Sequence, residues 1–309
     1  MAGDLTVGAV HQNQALTNIA ISYKNQAFVA ERVFPIVRVV KEADVYYIFG
    51  KEELIDYDFL RAAGTEAKEV TWVPTTATYS AEEYALKKIV PDRIVNNSDV
   101  AVRPMVTTAT KLTKWLNLSW ERRVQALAQN TGNATSSATP SPKWNGTSPD
   151  IEKDVDTAKD TVRKAAGVEP NSILMNASVR DAVKRDSTVR NLIRYTVPAY
   201  ELLKSGDLPP VLWNLEVIIA GAIRNTANEN ATESLANIWT DTVCVFYKEN
   251  TPSLDTLTWG YSLRVADFSA KTYREEKRAG TFVEMSMIQD EKVVASACAY
   301  LILDTLHGE

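Results

Sequence analysis

The sequence predicts an α+β subunit of two lobes joined to an extended ribbon, and three observations predict it. Residues 33–40, 45–49 and 70–79 are β-rich runs separated by charged or small-residue breaks. Residues 103–130 switch to helical periodicity, and residues 171–265 alternate short helical and extended stretches. At 309 residues the chain exceeds the ~250–300 at which one hydrophobic core stops growing, which accounts for two lobes.

The ribbon is the most telling part. Residues 1–36 carry few turn signals and read as an extended arm, and residues 37–80 read as a hairpin. Its tip falls between Gly50 and Glu66, where Gly64 allows a sharp bend. In Val45-Tyr46-Tyr47-Ile48-Phe49 both parities are apolar or aromatic, so a strand there carries hydrophobic groups on both faces. A lone two-stranded hairpin is marginal in water. Such an arm and ribbon need a surface supplied from elsewhere, and a second copy of the same chain is the simplest source. Trp72, next to Pro74 on the ribbon, reads as an inter-subunit anchor, because buried aromatics dominate interface energies.

Residues 84–90 alternate as a strand and end at a Pro91-Asp92 turn. In the long helix Val106, Ala109, Leu112, Leu116, Trp120, Val124 and Leu127 recur about every 3.5 residues, close to the helical period. Trp115 sits on its flank. Pro104 suits its first turn and Gly132 its end. Residues 131–149 form a polar loop. A second helix follows, with Ser148 as cap, Pro149 in first position, Asp150 against the dipole, and Ile151, Val155, Ala158, Val162 and Ala165 as its apolar stripe up to Gly167. Beyond it, 173–175, 215–220 and 242–247 read as extended, 179–184 and 200–204 as helical, and 224–237 as a polar insertion. Residues 281–289 and 293–303 read as strands returning to the long helix.

Composition narrows the function. Hydrophobic residues make up 45% and charged residues 24%, as in ordinary folded domains, and no stretch approaches the ~18 apolar residues of a membrane span. The start, Met-Ala-Gly-Asp-Leu-Thr, lacks a basic region followed by an apolar one, so no secretory signal is expected. Cys244 and Cys298 lie in apolar runs and read as buried free thiols. Catalytic material is scarce. His11 and His307 lie in the terminal tails, no nucleophile elbow, phosphate loop or dinucleotide fingerprint occurs, and the Glu82/Glu83 and Asp154/Asp156 pairs read as solvated faces. No enzyme, cofactor or metal is expected. The net charge of −5 and the absence of a basic run argue against tight nucleic-acid binding, since phosphate neutralisation dominates such affinity. Arg122 and Arg123 are the local cations that could line an inner face.

A family resemblance rests on several stretches in order. They are Ala20-Ile21-Ser22-Tyr23, Phe34-Pro35, Tyr46-Tyr47-Ile48-Phe49, Arg61-Ala62-Ala63-Gly64-Thr65-Glu66-Ala67 and Glu83-Tyr84-Ala85-Leu86-Lys87. Tyr195-Thr196, Val197-Pro198, Ser234-Leu235-Ala236, Trp259-Gly260-Tyr261, Glu291-Lys292-Val293-Val294-Ala295 and Ala299-Tyr300-Leu301-Ile302 continue it. This collinear set resembles the tailed-bacteriophage major capsid proteins over nearly the whole chain. The resemblance implies an N-terminal arm (1–36), an E-loop hairpin (37–80), a peripheral domain (81–170, with a spine helix at 103–130, completed by 266–309) and an axial domain (171–265). It implies an icosahedral shell of pentamers and hexamers around double-stranded DNA, assembled in the host bacterial cytoplasm, with portal and decoration proteins and a separate scaffolding protein or none. Tyr47, Phe49, Arg61 and Trp72 are the candidate inter-subunit contacts. An encapsulin-like nanocompartment shell of the same fold, or a tail or adhesin module, are the alternatives.

Overall fold

The computed structural model describes residues 28–48, 55, 56, 58, 60–70, 75–97, 103–196, 208–227, 231–249, 251 and 257–307. Most of the expected arm, Phe49, Trp72 and the expected 200–204 helix lie outside these residues.

The backbone of the fold is α3 (Pro104–Ala128), a helix of 25 residues with Pro104 in its first turn. Ala109, Leu112, Leu116, Trp120, Val124 and Ala128 form its buried stripe, and Trp115 is exposed, as the periodicity predicts. It stops short of Gly132. The Gln129 backbone N–H closes on Gln125 O, the Gln129 side chain donates to Thr242 O at 3.2 Å, and Gly132 falls in a separate 3₁₀ turn.

Along α3 lies a four-stranded sheet of β1 (Ile36–Arg38), β12 (Gly260–Glu275), β13 (Gly280–Val293) and β4 (Glu82–Pro91), in that order. β1 runs parallel to β12, and the other pairs are antiparallel. Val90, Ala270, Val283, Met285 and Met287 face the helix core. β12 is longer than its sequence suggests, because Arg264, Asp267, Lys271 and Arg274 interrupt its apolar pattern. Two register shifts between Arg264 and Ser269 bend it. At the far end Arg274 grips Asp92 with two bonds of 2.9 Å and holds the carboxyl below its ordinary range. Asp92 opens a short helix, α2 (Asp92–Asn97), where a turn was expected.

The second sheet has six strands in the order β5 (Ser136–Ala138), β14 (Ala299–Ile302), β11 (Val243–Phe246), β6 (Ser172–Asn176), β8 (Leu215–Ala220) and β7 (Val211–Leu212). Its central strands are buried on both faces, so their runs are continuously apolar. Side chains alternate with period two. Leu174, Cys244, Phe246 and Leu301 join the α3 core, and Ile173, Met175, Val243, Val245 and Ile302 join a second core under α4 (Ile151–Ala166). Thus α4 and β14, expected beside the long helix, belong to the six-stranded sheet. The cap of α4 is Asp150, whose side chain accepts from Lys153 N, instead of Ser148; Gly167 ends it at φ 75. α5 (Ala177–Arg185) is capped by Asn176 and followed by α6 (Ser187–Thr196). The expected polar insertion carries a small ribbon of β9 (Ile223–Asn225) and β10 (Leu235–Asn237). Both cysteines are buried thiols outside any disulfide, and burial pushes the Cys244 thiol far up.

The largest departure lies in the arm. Residues 28–36 were expected to lack a core of their own, yet Val29, Ala30, Val33 and Phe34 are among the most buried of the chain. They form α1 (Ala30–Val33) because the buried Glu121 of α3 reaches its start. Its Oε2 accepts from Val29 N at 3.0 Å and Ala30 N at 2.8 Å, and its Oε1 accepts from the Trp239 indole at 2.6 Å. Phe34 then packs edge-on against Trp259 at 5.3 Å. Gly260 makes room for it, since a Cβ there would lie 2.8 Å from the Phe34 ring and 2.7 Å from Lys292 O.

Burial pushes the Glu121 carboxyl above the ordinary glutamate range, against the pull of its three N–H donors. Its stabilising contribution is therefore fullest below the unfolded value near 4.5 and shrinks as pH rises through the folded value. Glu121→Gln turns an amide N–H₂ towards existing donors and should cost about 1–3 kcal/mol. Denaturant midpoints of the unassembled subunit should show this cost narrowing as pH rises towards neutral. Trp120→Ala should cost ~3–5 kcal/mol in the same assay.

Candidate assembly interface

Two strands leave the body as a separate ribbon, β2 (Ala43–Ile48) and β3 (Thr75–Ser80), paired antiparallel from Ala43↔Ser80 to Ile48↔Thr75. β2 follows β1 and β3 precedes β4, so the ribbon draws on the two opposite edges of the four-stranded sheet. The base is fastened by polar contacts. Ser80 N donates to Asp290 Oδ2 at 2.9 Å, Ala81 N to Glu42 O at 2.6 Å, Val39 N to Arg264 O at 3.0 Å, and Tyr79 Oη to Lys41 O at 3.1 Å.

Beyond this base the ribbon exposes apolar side chains. Tyr47 is 63% exposed, Val45 51% and Leu60 92%. Tyr46, on the opposite parity, is half-buried, and desolvation followed by the nearby Asp290 charge raises its phenol pKa. Arg61 lies in an exposed turn, where its Nε donates to Thr65 O and Thr65 Oγ1 donates to Ala62 O at 2.9 Å. Gly64 takes φ 85 there, a left-handed conformation that glycine adopts without strain. The structure therefore places Tyr47 on the open ribbon face and Arg61 in a self-closed turn. Phe49 and Trp72 lie outside the described residues. Val45 and Leu60 are additional exposed apolar groups; for Val45, the double-parity pattern was the signal.

A second constellation escaped the sequence. Arg264, 5% exposed, donates through Nε and Nη2 to Gln289 Oε1 at 3.0 and 2.8 Å, and Gln289 donates to Glu291 Oε1 at 2.6 Å. Arg123 grips Glu291 with two bonds of 2.9 Å and lies 3.7 Å over the Tyr84 ring. Arg264 also stacks on Trp120 at 4.7 Å and Phe268 at 5.6 Å. Burial lowers the Arg264 pKa, and Asp267 opposes that shift. Arg123, proposed from sequence as an inner-wall cation, is thus tied into the body. This chain of charge ties α3, β12, β13 and β4 into one block, directly beneath the ribbon base at Asp290. Among the described residues no cluster of His, Cys, Asp or Glu could hold a metal ion, and no helix is long and apolar enough to cross a membrane.

A complete body that projects an apolar ribbon defines a structural subunit built to join others. No family model matches the chain. The major capsid protein of Burkholderia phage BcepMu is 24% identical over 262 residues, covering 81% of this chain and 82% of that protein. A phage-related protein from Bordetella bronchiseptica shares the fold with a TM-score of 0.72 at 19% identity, covering 96% of this chain and 98% of the other. The capsid of cyanophage P-SCSP1u gives a TM-score of 0.62 at 14% identity, over 91% of this chain and 89% of the other. The architecture is a phage capsid fold. The chain is similar to phage major capsid proteins in sequence and shares their fold, and its role is that of the head shell.

Two substitutions separate ribbon from body. Tyr47→Ala should leave the unassembled subunit within about 0.5 kcal/mol of wild type, as exposed sites do, while lowering particle yield. Arg123→Ala strands the buried Glu291 and should cost about 3 kcal/mol of subunit stability. Equal melting losses for the two would refute this division.

Proposed function

We propose that this chain builds its shell from pentamers and hexamers, with the ribbon as the element that each copy lays on its neighbour. The observation that carries this is the pairing of a closed core with Val45, Tyr47 and Leu60 left exposed beyond it. In this reading 1–36 is the arm, 37–80 the E-loop, 81–170 with 266–309 the peripheral domain and 171–265 the axial domain, except that α4 and β14 pack with the axial sheet. Tyr47, Phe49, Arg61 and Trp72 are contacts between copies. The shell encloses double-stranded DNA in the host cytoplasm without gripping it, in keeping with the net charge of −5. It works without catalysis or cofactor, beside portal and decoration proteins and a separate scaffolding protein or none.

Electron microscopy of purified protein should show closed icosahedral particles; monomers and small rings alone, at high concentration and with any scaffold supplied, would sink the proposal. Hydrogen exchange across residues 37–80 should be fast in the free subunit and slow sharply on assembly, because the ribbon has little core of its own. Equal protection in both states would mean that the ribbon orders itself on its own subunit.

A further inference from the structure

β4 is an edge strand whose outer side is open. It ends the four-stranded sheet, and among the described residues no strand pairs with that side. Which backbone groups point outward follows from the register. Asp92 N donates to Ala279 O at 3.0 Å, continuing the ladder that pairs Pro91 with Gly280. Bonded pairs alternate in an antiparallel ladder, so the even-numbered residues of β4 turn their N–H and C=O groups to β13. Those of Glu83, Ala85 and Lys87 therefore point away from the sheet. Pro91, with no N–H to offer, falls in the same outward set, as prolines of edge strands do. The free edge begins at Glu82, because Ala81 N already donates to Glu42 O at 2.6 Å. From there it reads Glu82-Glu83-Tyr84-Ala85-Leu86-Lys87-Lys88, with Tyr84 half-buried and the other six residues exposed. This order is its own complement. Against a reversed copy centred on Ala85, Glu82 faces Lys88, Glu83 faces Lys87 and Tyr84 faces Leu86. Edge strands carry charge to repel a second strand, and a single sign would serve that purpose. Here acids fill one half and lysines the other, so a reversed copy is attracted. Glu82, Glu83, Lys87 and Lys88 enter no ion pair among the described residues. Lys87 Nζ lies 5.1 Å over the Phe282 ring, a contact that leaves its charge unneutralised.

We infer that β4 is a twofold contact between two copies of this chain, pairing antiparallel with itself about Ala85. Ala85 with Ala85, and Glu83 with Lys87, then exchange the outward N–H···O=C bonds. Glu82 with Lys88, and Tyr84 with Leu86, fall in the alternate pairs, where facing side chains come closest. Centring on Tyr84 would set Glu82 against Leu86, and centring on Leu86 would set Tyr84 against Lys88. Only the Ala85 centre matches both acids to both lysines. The inference rests on the shell reading above and deepens it. Rings close through head-to-tail contacts, whereas a self-complementary contact about a twofold axis joins one ring to the next.

The test uses full-length protein assembled into shells, mild oxidation and non-reducing gels. Facing Ala85 residues would hold their Cα atoms about 5.5 Å apart, within the ~4.4–6.8 Å that a disulfide spans. Ala85→Cys should therefore give covalent dimers, while wild type, whose two cysteines are buried, gives none. Lys87→Cys alone should not cross-link, because the two copies of that position lie about 14 Å apart along the strand. The double change Glu83→Cys/Lys87→Cys should. Charge reversal is the second readout, made at Glu82 and Lys88 because Lys87 already faces Glu284 within its own sheet. Glu82→Lys and Lys88→Glu should each lower particle yield at least about tenfold, by setting like charges across the axis. Combining them should restore the yield, with melts of the unassembled subunits unchanged because both groups are exposed. Normal shells without Ala85→Cys dimers overturn the inference, as do dimers formed equally well by Lys87→Cys. A double reversal as deficient as either single one also overturns it. Shell formation by wild type is scored first. If no shell forms, the shell reading fails, and oxidation of concentrated soluble Ala85→Cys protein decides the contact: dimers support it and their absence overturns it.

Discussion

Everything in the subunit is referred to α3, and the Glu121 carboxylate is the constraint that makes it so. A carboxylate removed from water is expensive unless its lone pairs are filled. Here they are filled from two directions, by the Val29 and Ala30 N–H groups and by the Trp239 indole. One side chain thereby pins the entry of the N-terminal segment and the approach to β11 to the same point of the helix. Phe34, Trp259 and Phe246 pack in succession behind that point, so the aromatic core follows from the polar clamp.

A second constraint lies on the other side of the helix. The Arg264–Gln289–Glu291–Arg123 chain buries charge in a place where apolar packing would serve stability as well or better. What it adds is direction: planar guanidinium groups fix the rotation of α3 against the four-stranded sheet. The same strand that carries Gln289 and Glu291 carries Asp290, which receives the Ser80 N–H. The rigid block and the ribbon base are thus one residue apart, on opposite faces of β13.

Much of this was legible in the sequence, and the failures have physical causes. The stripe of α3 and the doubly buried strands around Ile173, Val217 and Val245 show directly in their periodicity. β12 does not, because Arg264 and Arg274 read as breaks until Gln289 and Asp92 are found opposite them. Glu121 was equally silent. Its partners lie 92 and 118 residues away, although a single acid flanking an apolar helical stripe was a usable hint. Residues 33–40 look like one β run, and the local propensity of Val33 and Phe34 was overridden by the clamp and by Trp259. For the ribbon, Val45-Tyr46-Tyr47-Ile48 foretold a surface that one subunit does not cover. The proposed contacts of Tyr47 and Arg61 with a neighbouring copy are specified by no property of the single chain.

The placement of the ribbon's two roots has a mechanical consequence. β1 and β4 are the outermost strands of the sheet, with β12 and β13 between them. A pull on the ribbon tip is therefore divided between both edges and carried inward along the strand axes. In that geometry the ladder hydrogen bonds are loaded together in shear, whereas a ribbon rooted in one edge strand would open them one at a time. The parallel β1–β12 pair, though only three residues long, lies at one end of this load path and is reinforced there by Arg38 on Asp267. A load on such a ribbon is anchored across the full width of a sheet.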